Sequence, residues 1–439
     1  MTSLRHTLER VYRFVRIGYC ALCVWLRYRL RTRWDRRRGR ETDAATRTAI
    51  HQRNAEQIFR TAVALRGLLI KMCQVIGTRS DVFPPPYVRT LSQAHDRVPP
   101  RAFSEIRPVI ESELGKPLDA VFMELEPEPV AAASLAQVHR GRLLDGTPVA
   151  VKVQYPDIDH IVRTDLTATR IICRVYERLD PQPLELLPLL EELQLHLALE
   201  LDFRREVESA ERVRALFRDD ATIRVPRIYP ELSSRRLIVM ELVSGLKVTD
   251  KAALVAAGIE PRRLITDLVR AYNRMILAYG FFQADPHPGN MFIEPRPGGG
   301  HRITLLDFGL SKQLPEGFGL GLFELMFSMM TFNEAAMIRA FQELGFATKN
   351  DDPAAYMQLA QRMLGASDDG TFRGEFTEQM TDDLFDTIRE NPIVRVPTDF
   401  ILVARAFSLL SGIAHTLGSR ANLLDTMGPS GSAARPDDV

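Results

Sequence analysis

Cysteine is scarce: the chain of 439 residues has four, Cys20, Cys23, Cys73 and Cys173. That is too few for a disulfide framework and suits a reducing compartment. Cys20 and Cys23 have the spacing of a redox or zinc pair, but no second Cys or His pair accompanies them, which argues against a zinc site. Net charge is nearly absent too. Lys and Arg number 57 against 56 Asp and Glu, leaving +1, so no overall field marks nucleic acid as a partner and none is expected. Long apolar runs are missing as well. IGYCALCVWL, residues 17–26, falls short of the roughly 20 apolar residues that a bilayer span takes. Its basic downstream flank, without a small-residue cleavage site, argues against export. No later stretch reads as a membrane-spanning helix.

The charge that is present is unevenly placed. Residues 27–40 read RYRLRTRWDRRRGR, with Asp35 the one acid. Apolar residues interleaved with Arg13, Arg16, Arg27, Arg29, Arg31 and Arg33, and with Trp25 and Trp34, fit a helix lying on an anionic leaflet, with contact over residues 13–40. A basic helix packed on its own domain fits the pattern equally.

Further on, residues 44–79 carry few breakers and read as helix ending near Gly77, before FPPPY at 83–87 breaks the chain. A helix is expected from about Ser104 to Leu114. QVHRGRLL and TPVAVKVQ flank Asp145-Gly146, a strong hairpin signal. One long amphipathic helix is expected from Leu187 to Phe217, then a short apolar strand, RLIVMELV, at 236–243. From Pro261 the pattern is mostly helical.

Two segments carry chemistry. QADPHPGN, residues 283–290, places Asp285 five positions before Asn290, and LLDFGL places Asp307 17 residues beyond that (307 − 290). Phosphoryl transfer needs a carboxylate to orient the nucleophile and oxygen ligands for the divalent cations on the phosphates, and Asp-x4-Asn followed by Asp-Phe-Gly supplies both. Upstream, alternation in VAVKV puts Val149, Val151 and Val153 on a core face and Ala150 and Lys152 on the other. A kinase fold places there the lysine that binds the α/β-phosphates, and Glu206 and its neighbours offer the carboxylate it requires. Before the hairpin, AAASLAQVH at 131–139 stands where a glycine-rich loop would be. Alanine does not freely take positive φ, so a nucleotide cradle built on Ala131–Gln137 is stiffer, with Ser134 and Gln137 able to add side-chain hydrogen bonds. The reading is α+β: a two-lobed, protein-kinase-like fold with a helical N-terminal extension and a mostly helical C-lobe.

AAASLAQVH, VAVKVQYP, LELDFRRE (199–206), QADPHPGN and LLDFG together resemble the atypical kinase family known as ABC1, ADCK, UbiB or AarF, over roughly residues 60–420. The resemblance ties the chain to ubiquinone and other isoprenoid-lipid metabolism. It implies domains at 1–43 (basic and amphipathic), 44–125 (family-specific extension), 126–245 (N-lobe) and 246–425 (C-lobe), with a disordered tail at 426–439. The family's Lys-x-Gly-Gln, on an extension that restricts access by protein substrates, corresponds to Lys71–Gln74, with Cys73 in place of glycine. A side chain there is expected to shift the extension or alter the nucleotide site. Glu200 and Asp202 match the family's Glu-x-Asp and are expected to engage Lys71 and Gln74. Glu206 matches the partner of Lys152. Asp285 matches the catalytic aspartate, and Asn290 and Asp307 the metal ligands. Gln283 replaces a histidine common in relatives, which should be tolerated. His287 reads as a structural hydrogen-bonder. Glu241–Val243 form the hinge whose backbone meets adenine, with Met240 near the back of that pocket.

The resemblance therefore implies an ATP-dependent kinase or ATPase using Mg2+ or Mn2+, with a lipid or quinone precursor as partner, in the cytoplasm or at the inner face of the membrane. A nucleotide-binding scaffold with little catalysis is the first alternative. A conventional protein kinase, or a small-molecule phosphotransferase, is the second. The oligomeric state stays open, a dimer included.

Overall fold

The structure, a computed structural model, describes residues 2–39, 42–77, 83–95, 100–179, 186–348, 352–363 and 393–419. The expected tail at 426–439 lies outside them. The chain forms two compact units, Met1–Arg204 with Tyr229–Leu242, and Arg205–Ile228 with Val243–Val439.

The first unit opens on α1 (Thr2–Arg37) and α2 (Ala44–Leu65), the latter capped by Asp43, which accepts from the Thr46 N–H at 2.8 Å. The helix expected over 44–79 is in fact two. Arg66 and Gly67 both take positive φ (58° and 64°), and a Cβ on Gly67 would stand 2.9 Å from Ile161. Close packing at that point therefore breaks the helix, and α3 (Leu68–Gly77) starts in a new direction. α4 (Pro85–Leu91) has proline in its first turn, and α5 (Phe103–Leu114) ends at left-handed Gly115.

Strands β1 (Phe122–Ala132), β2 (Ala136–Leu143) and β3 (Pro148–Gln154) follow, the last two joined by the expected Asp145-Gly146 turn. Val149, Val151 and Val153 are fully buried against Ile106, Ile110 and Tyr155, while Lys152 is half-buried on the opposite face. Ala150 is buried as well, so that face is not simply solvated. After α6 (Ile158–Leu179) the expected Leu187–Phe217 helix is again two, α7 (Leu186–Glu200) and α8 (Phe203–Leu216). The break has clear donors and acceptors. The Leu201 carbonyl accepts from the Gln154 side chain at 3.0 Å, and the Phe203 N–H is taken by the Arg235 carbonyl at 3.0 Å. Asp202 lies ahead of α8, so it does not share a helical face with Glu206 at i,i+4.

The second unit takes α8 from Arg205 onward and β4 (Ile223–Arg224). Strand β5 (Leu237–Glu241) returns to the first unit, where it completes an antiparallel sheet of order β1-β2-β3-β5. Past Leu242 the second unit resumes with β6 (Leu246–Lys247), α9 (Lys251–Ala256) and α10 (Pro261–Asn273), which runs into a π-turn at Arg274–Ala278. Strands β7 (Phe281–Gln283), β8 (Met291–Pro295), β9 (His301–Leu305) and β10 (Ser311–Gln313) frame the QADPHPGN and LLDFGL segments. β7 pairs with β10, and β8 and β9 join a sheet of order β4-β9-β8-β6. The described residues beyond β10 are mostly helical apart from one short strand pair, with α11 (Phe318–Met330), α12 (Glu334–Glu343) and a last described helix, Thr398–Thr416. That helix has the length and apolar composition to cross a membrane, contrary to the expectation from sequence. Its Phe400, Val403, Ala404, Phe407 and Leu410 are nevertheless buried in the unit, with Phe400 edge-on to Phe346 at 4.8 Å. It is packed here as a core helix.

Candidate active site

The segment 283–290 leaves β7 as a loop closed on itself. The His287 N–H donates to the Asp285 carbonyl at 2.7 Å, and the Asn290 N–H to the His287 carbonyl at 2.9 Å, with Pro288 starting a single 3-10 turn. His287 is the structural hydrogen-bonder expected: its ring nitrogen accepts from the Gly289 N–H at 3.1 Å. The β8–β9 ladder then places Asn290 beside the second motif, since the Leu306 N–H donates to the Asn290 carbonyl at 3.0 Å, one residue before Asp307. From the other side, Ser311 pairs with Gln283, and the Ala284 N–H reaches the Leu310 carbonyl at 2.7 Å. Backbone pairing therefore gathers Asp285, Asn290 and Asp307 in one region of the second unit.

Gln283 seals the arrangement. It is buried, its amide donates to the Asp307 main-chain carbonyl, and its oxygen accepts the Tyr272 hydroxyl at 2.5 Å. Burial pushes the Tyr272 hydroxyl well above its ordinary range, and the nearby Asp285 charge adds to the push. One oxygen of Asp307 accepts from the Gly309 N–H at 2.9 Å. Glu206, only 6% exposed, stands at this turn: a Cβ on Gly309 would lie 3.7 Å from its carboxylate and 3.3 Å from Asp307.

Among the described residues no group of three His, Cys, Asp or Glu could hold a metal ion. Asn290 and Asp307 supply two oxygen donors, which fits Mg2+ or Mn2+, since such ions keep several waters and bind through few protein oxygens plus substrate phosphates. One residue that sequence reasoning missed also reaches the site. Arg405, on the Thr398–Thr416 helix, places Nη2 3.3 Å from a carboxylate oxygen of Asp285. The signal available was a lone cation in the apolar run DFILVARAFSLL.

In the first unit, Lys152 lies with its ammonium 5.2 Å from the Phe203 ring centroid. The alanine run is the β1–β2 turn: Ala131 and Ala132 end β1, Ala133–Leu135 turn, and the Ala133 N–H donates to the Ala136 carbonyl at 2.8 Å. None of these residues takes positive φ. Ser134 is buried. Gln137 is committed elsewhere, accepting from the Arg101 N–H at 2.8 Å and donating to its carbonyl at 3.2 Å, so it pins the turn rather than offering its amide to a ligand. Glu241 ends β5, and the Leu242 N–H still bonds Pro148 before the chain passes at Val243 into the second unit.

The extension meets part of its expectation. Lys71 forms an ion pair with Glu200. Gln74 instead donates to the Ala94 carbonyl at 3.1 Å, and Asp202 is gripped by the Arg204 fork at 2.8 and 2.6 Å, which pulls its carboxyl below the usual range. Cys73 departs from the expectation. It is 1% exposed and packs with Ala62, Ile70, Leu91 and Ala94 inside the extension, where burial pushes the thiol up to about 12. Its side chain turns into the extension's own core, away from Lys71 and Glu200.

Residues 93–341 match the model of the ABC1 atypical kinase-like domain, more than half of the chain. The chain belongs to the ABC1 family. Similar ABC1-family proteins include the AarF domain-containing protein kinase 1 of Xenopus laevis, 32% identical over 395 residues covering 88% of this chain and 75% of that protein. An uncharacterized Synechocystis protein is 32% identical over 380 residues, 86% of this chain and 64% of its own length. The chloroplastic Activity of bc1 complex kinase 7 of Arabidopsis thaliana is 31% identical over 85% of this chain, which spans 54% of its length. A Mycobacterium tuberculosis protein solved in complex with erythromycin shares the fold, with a TM-score of 0.58 at 22% identity over 88% of this chain and 97% of its own. The fold is thus the two-lobed, kinase-like α+β class.

Proposed function

We propose that this ABC1-family protein is an ATP- and divalent-cation-dependent atypical kinase or ATPase that works at a lipid surface, in ubiquinone or other isoprenoid-lipid metabolism. The observation that carries the reading is the gathering of Asp285, Asn290 and Asp307 by the β7–β10 and β8–β9 pairings. In the reaction a hydroxyl or water oxygen attacks the γ-phosphorus of ATP, and its proton passes to the Asp285 carboxylate. The bond from phosphorus to the bridging oxygen breaks, and that electron pair leaves with ADP. Asn290 and Asp307 would hold Mg2+ or Mn2+, which supplies positive charge to the phosphate oxygens. Lys152 would steady the α/β-phosphates. The Ala131–Gln137 turn and the backbone of Glu241–Val243 would receive the rest of the nucleotide.

The acceptor is better sought outside peptides. Only eight residues lie between Gly309 and the start of α11 at Phe318 (318 − 309 − 1), and β10 takes three of them. That leaves little chain for a peptide-docking activation segment, and no Ala-Pro-Glu follows.

Support for a lipid surface comes from α1, whose two faces differ. One packs on the unit, with Arg13 buried against Asp165 and Arg27 donating to Asn54 and Gln57, while Arg31 pairs with Asp35 within α1 itself. These three arginines, expected from the sequence to meet a membrane, are satisfied internally. The other face is exposed and apolar at Leu8, Val11, Val15, Tyr19, Leu22, Leu26 and Leu30, steps of three and four that form one stripe. Roughly 33 Å of helix carries it at 1.5 Å per residue. Exposed Arg33, Arg36 and Arg37 follow, with Trp34 stacked under Arg38 at 3.7 Å. An apolar stripe ending in arginines and an interfacial tryptophan suits an anionic bilayer, here assigned to the inner face of the membrane.

Phosphate release from Mg-ATP, with and without anionic liposomes and phenolic quinone precursors, tests the reading. Metal-dependent turnover stimulated by either addition is expected. Nucleotide binding without release would point to a scaffold, and phosphorylation of generic peptides to a protein kinase.

A further inference from the structure

The loop that carries Asp285 contains no lysine or arginine between Gln283 and Asn290. Its main chain is fixed by its own hydrogen bonds, but these leave the Asp285 side chain free to rotate about its own bonds. Among the described residues, the cation that reaches that carboxylate comes from 120 residues away. Arg405 Nη2 lies 3.3 Å from one Asp285 oxygen, with both side chains 35% exposed. The helix that presents it is held firmly on each side. Near its start, Asp399 pairs with Lys312 of β10 at 3.0 Å, and Phe400 is seated against Phe346. Around the arginine, Val403, Ala404, Ala406 and Phe407 are buried, so the guanidinium projects from a fixed backbone.

We propose that Arg405 is a positioning residue for phosphoryl transfer: it holds one oxygen of Asp285 so that the other is presented to the acceptor. This rests on the kinase or ATPase reading of the same site. A pair this exposed adds little to stability, so its value lies in geometry. An ill-placed carboxylate loses the near-attack arrangement on which the step depends. Lysine would keep the charge but not the planar fork.

The test compares the full-length parent with R405A, R405K, D285N and D285N/R405A, reading kcat, KM for ATP and thermal midpoint under Mg-ATP. R405A should lower kcat by about 10- to 100-fold, the scale of a misplaced catalytic group. KM for ATP should stay within about twofold and the midpoint nearly unchanged, as for an exposed pair. R405K should recover part of kcat. Adding R405A to D285N should cost nothing further, because Arg405 acts through Asp285. The inference is overturned if R405A turns over as fast as the parent, or faster, or if its loss recurs in full on the D285N background. It is equally overturned if the R405A loss merely tracks a lower thermal midpoint. A parent no more active than D285N would instead overturn the reading of the site itself.

Discussion

Gln283 donates its side-chain amide to the main-chain carbonyl of Asp307, and the same side chain accepts the Tyr272 hydroxyl. One buried amide thus ties the catalytic loop, the Asp-Phe-Gly turn and α10 together. Its position is set by the β7–β10 ladder, in which Gln283 faces Ser311.

Replacing this amide tests how much the site depends on the tie. Gln283→Leu keeps the bulk but leaves the Asp307 carbonyl and the Tyr272 hydroxyl without their partner. Buried groups left unsatisfied cost about 1–3 kcal/mol each, so a loss of roughly 2–6 kcal/mol is expected in urea unfolding. Turnover per folded molecule should fall as well, since the Asp307 turn loses its anchor. Gln283→His, which keeps a ring donor, should lose less on both counts. Equal stability for Gln283→Leu and the parent would show that the contact is incidental.

Cys73 offers the opposite case, a departure from the family pattern that is buried inside the extension's own core. Cys73→Gly removes a buried side chain and adds helical glycine, which together cost about 2–3 kcal/mol. Turnover of the folded fraction should not rise. The thiol also titrates late: burial moves it from its ordinary value of 9.0 up to about 12. The folded state keeps its proton where the unfolded chain has released it, so this contribution to stability is intact below pH 9 and is lost between about 9 and 12. Cys73→Ala should flatten the fall in stability across that window. An unchanged alkaline limb, or a more active Cys73→Gly protein, would contradict the packing described here.

Much of the second unit was legible because its chemistry is local. Asp285, Asn290 and Asp307 lie on a short stretch whose residue types and spacing already pointed to phosphoryl transfer. The helix breaks at Arg66-Gly67 and Leu201-Asp202 were not legible. Neither has a proline, and both are imposed by distant partners, Ile161 beside Gly67 and Arg235 beside Phe203. The second break also explains why Asp202 binds Arg204 rather than the extension: helical angles reckoned across it have no meaning. Arg405 was hidden for a different reason. Its neighbours made the helix read as core, and nothing local reveals that a core helix turns one cation toward a carboxylate 120 residues earlier.

The exposed face of α1 leads to a separate expectation. Val15→Glu with Leu22→Glu should abolish sedimentation with anionic vesicles while changing stability by less than about 0.5 kcal/mol, as surface substitutions do. Arg33→Glu, Arg36→Glu and Arg37→Glu together should weaken binding about 100-fold at low salt, at about 1 kcal/mol for each basic residue near an anionic surface. Parent protein that binds neutral and anionic vesicles alike, or variants that bind as the parent does, would remove α1 as the contact.

The most direct test of the central claim is metal-dependent ATP turnover by the parent, Asp285→Asn and Asp307→Asn. Turnover should require Mg2+ or Mn2+ in the parent. Asp285→Asn should lose at least about 100-fold in kcat, the scale of a general base, while still binding nucleotide. Asp307→Asn should lose turnover together with the metal dependence of nucleotide binding. An Asp307→Asn protein that hydrolyses ATP as fast as the parent would contradict the account.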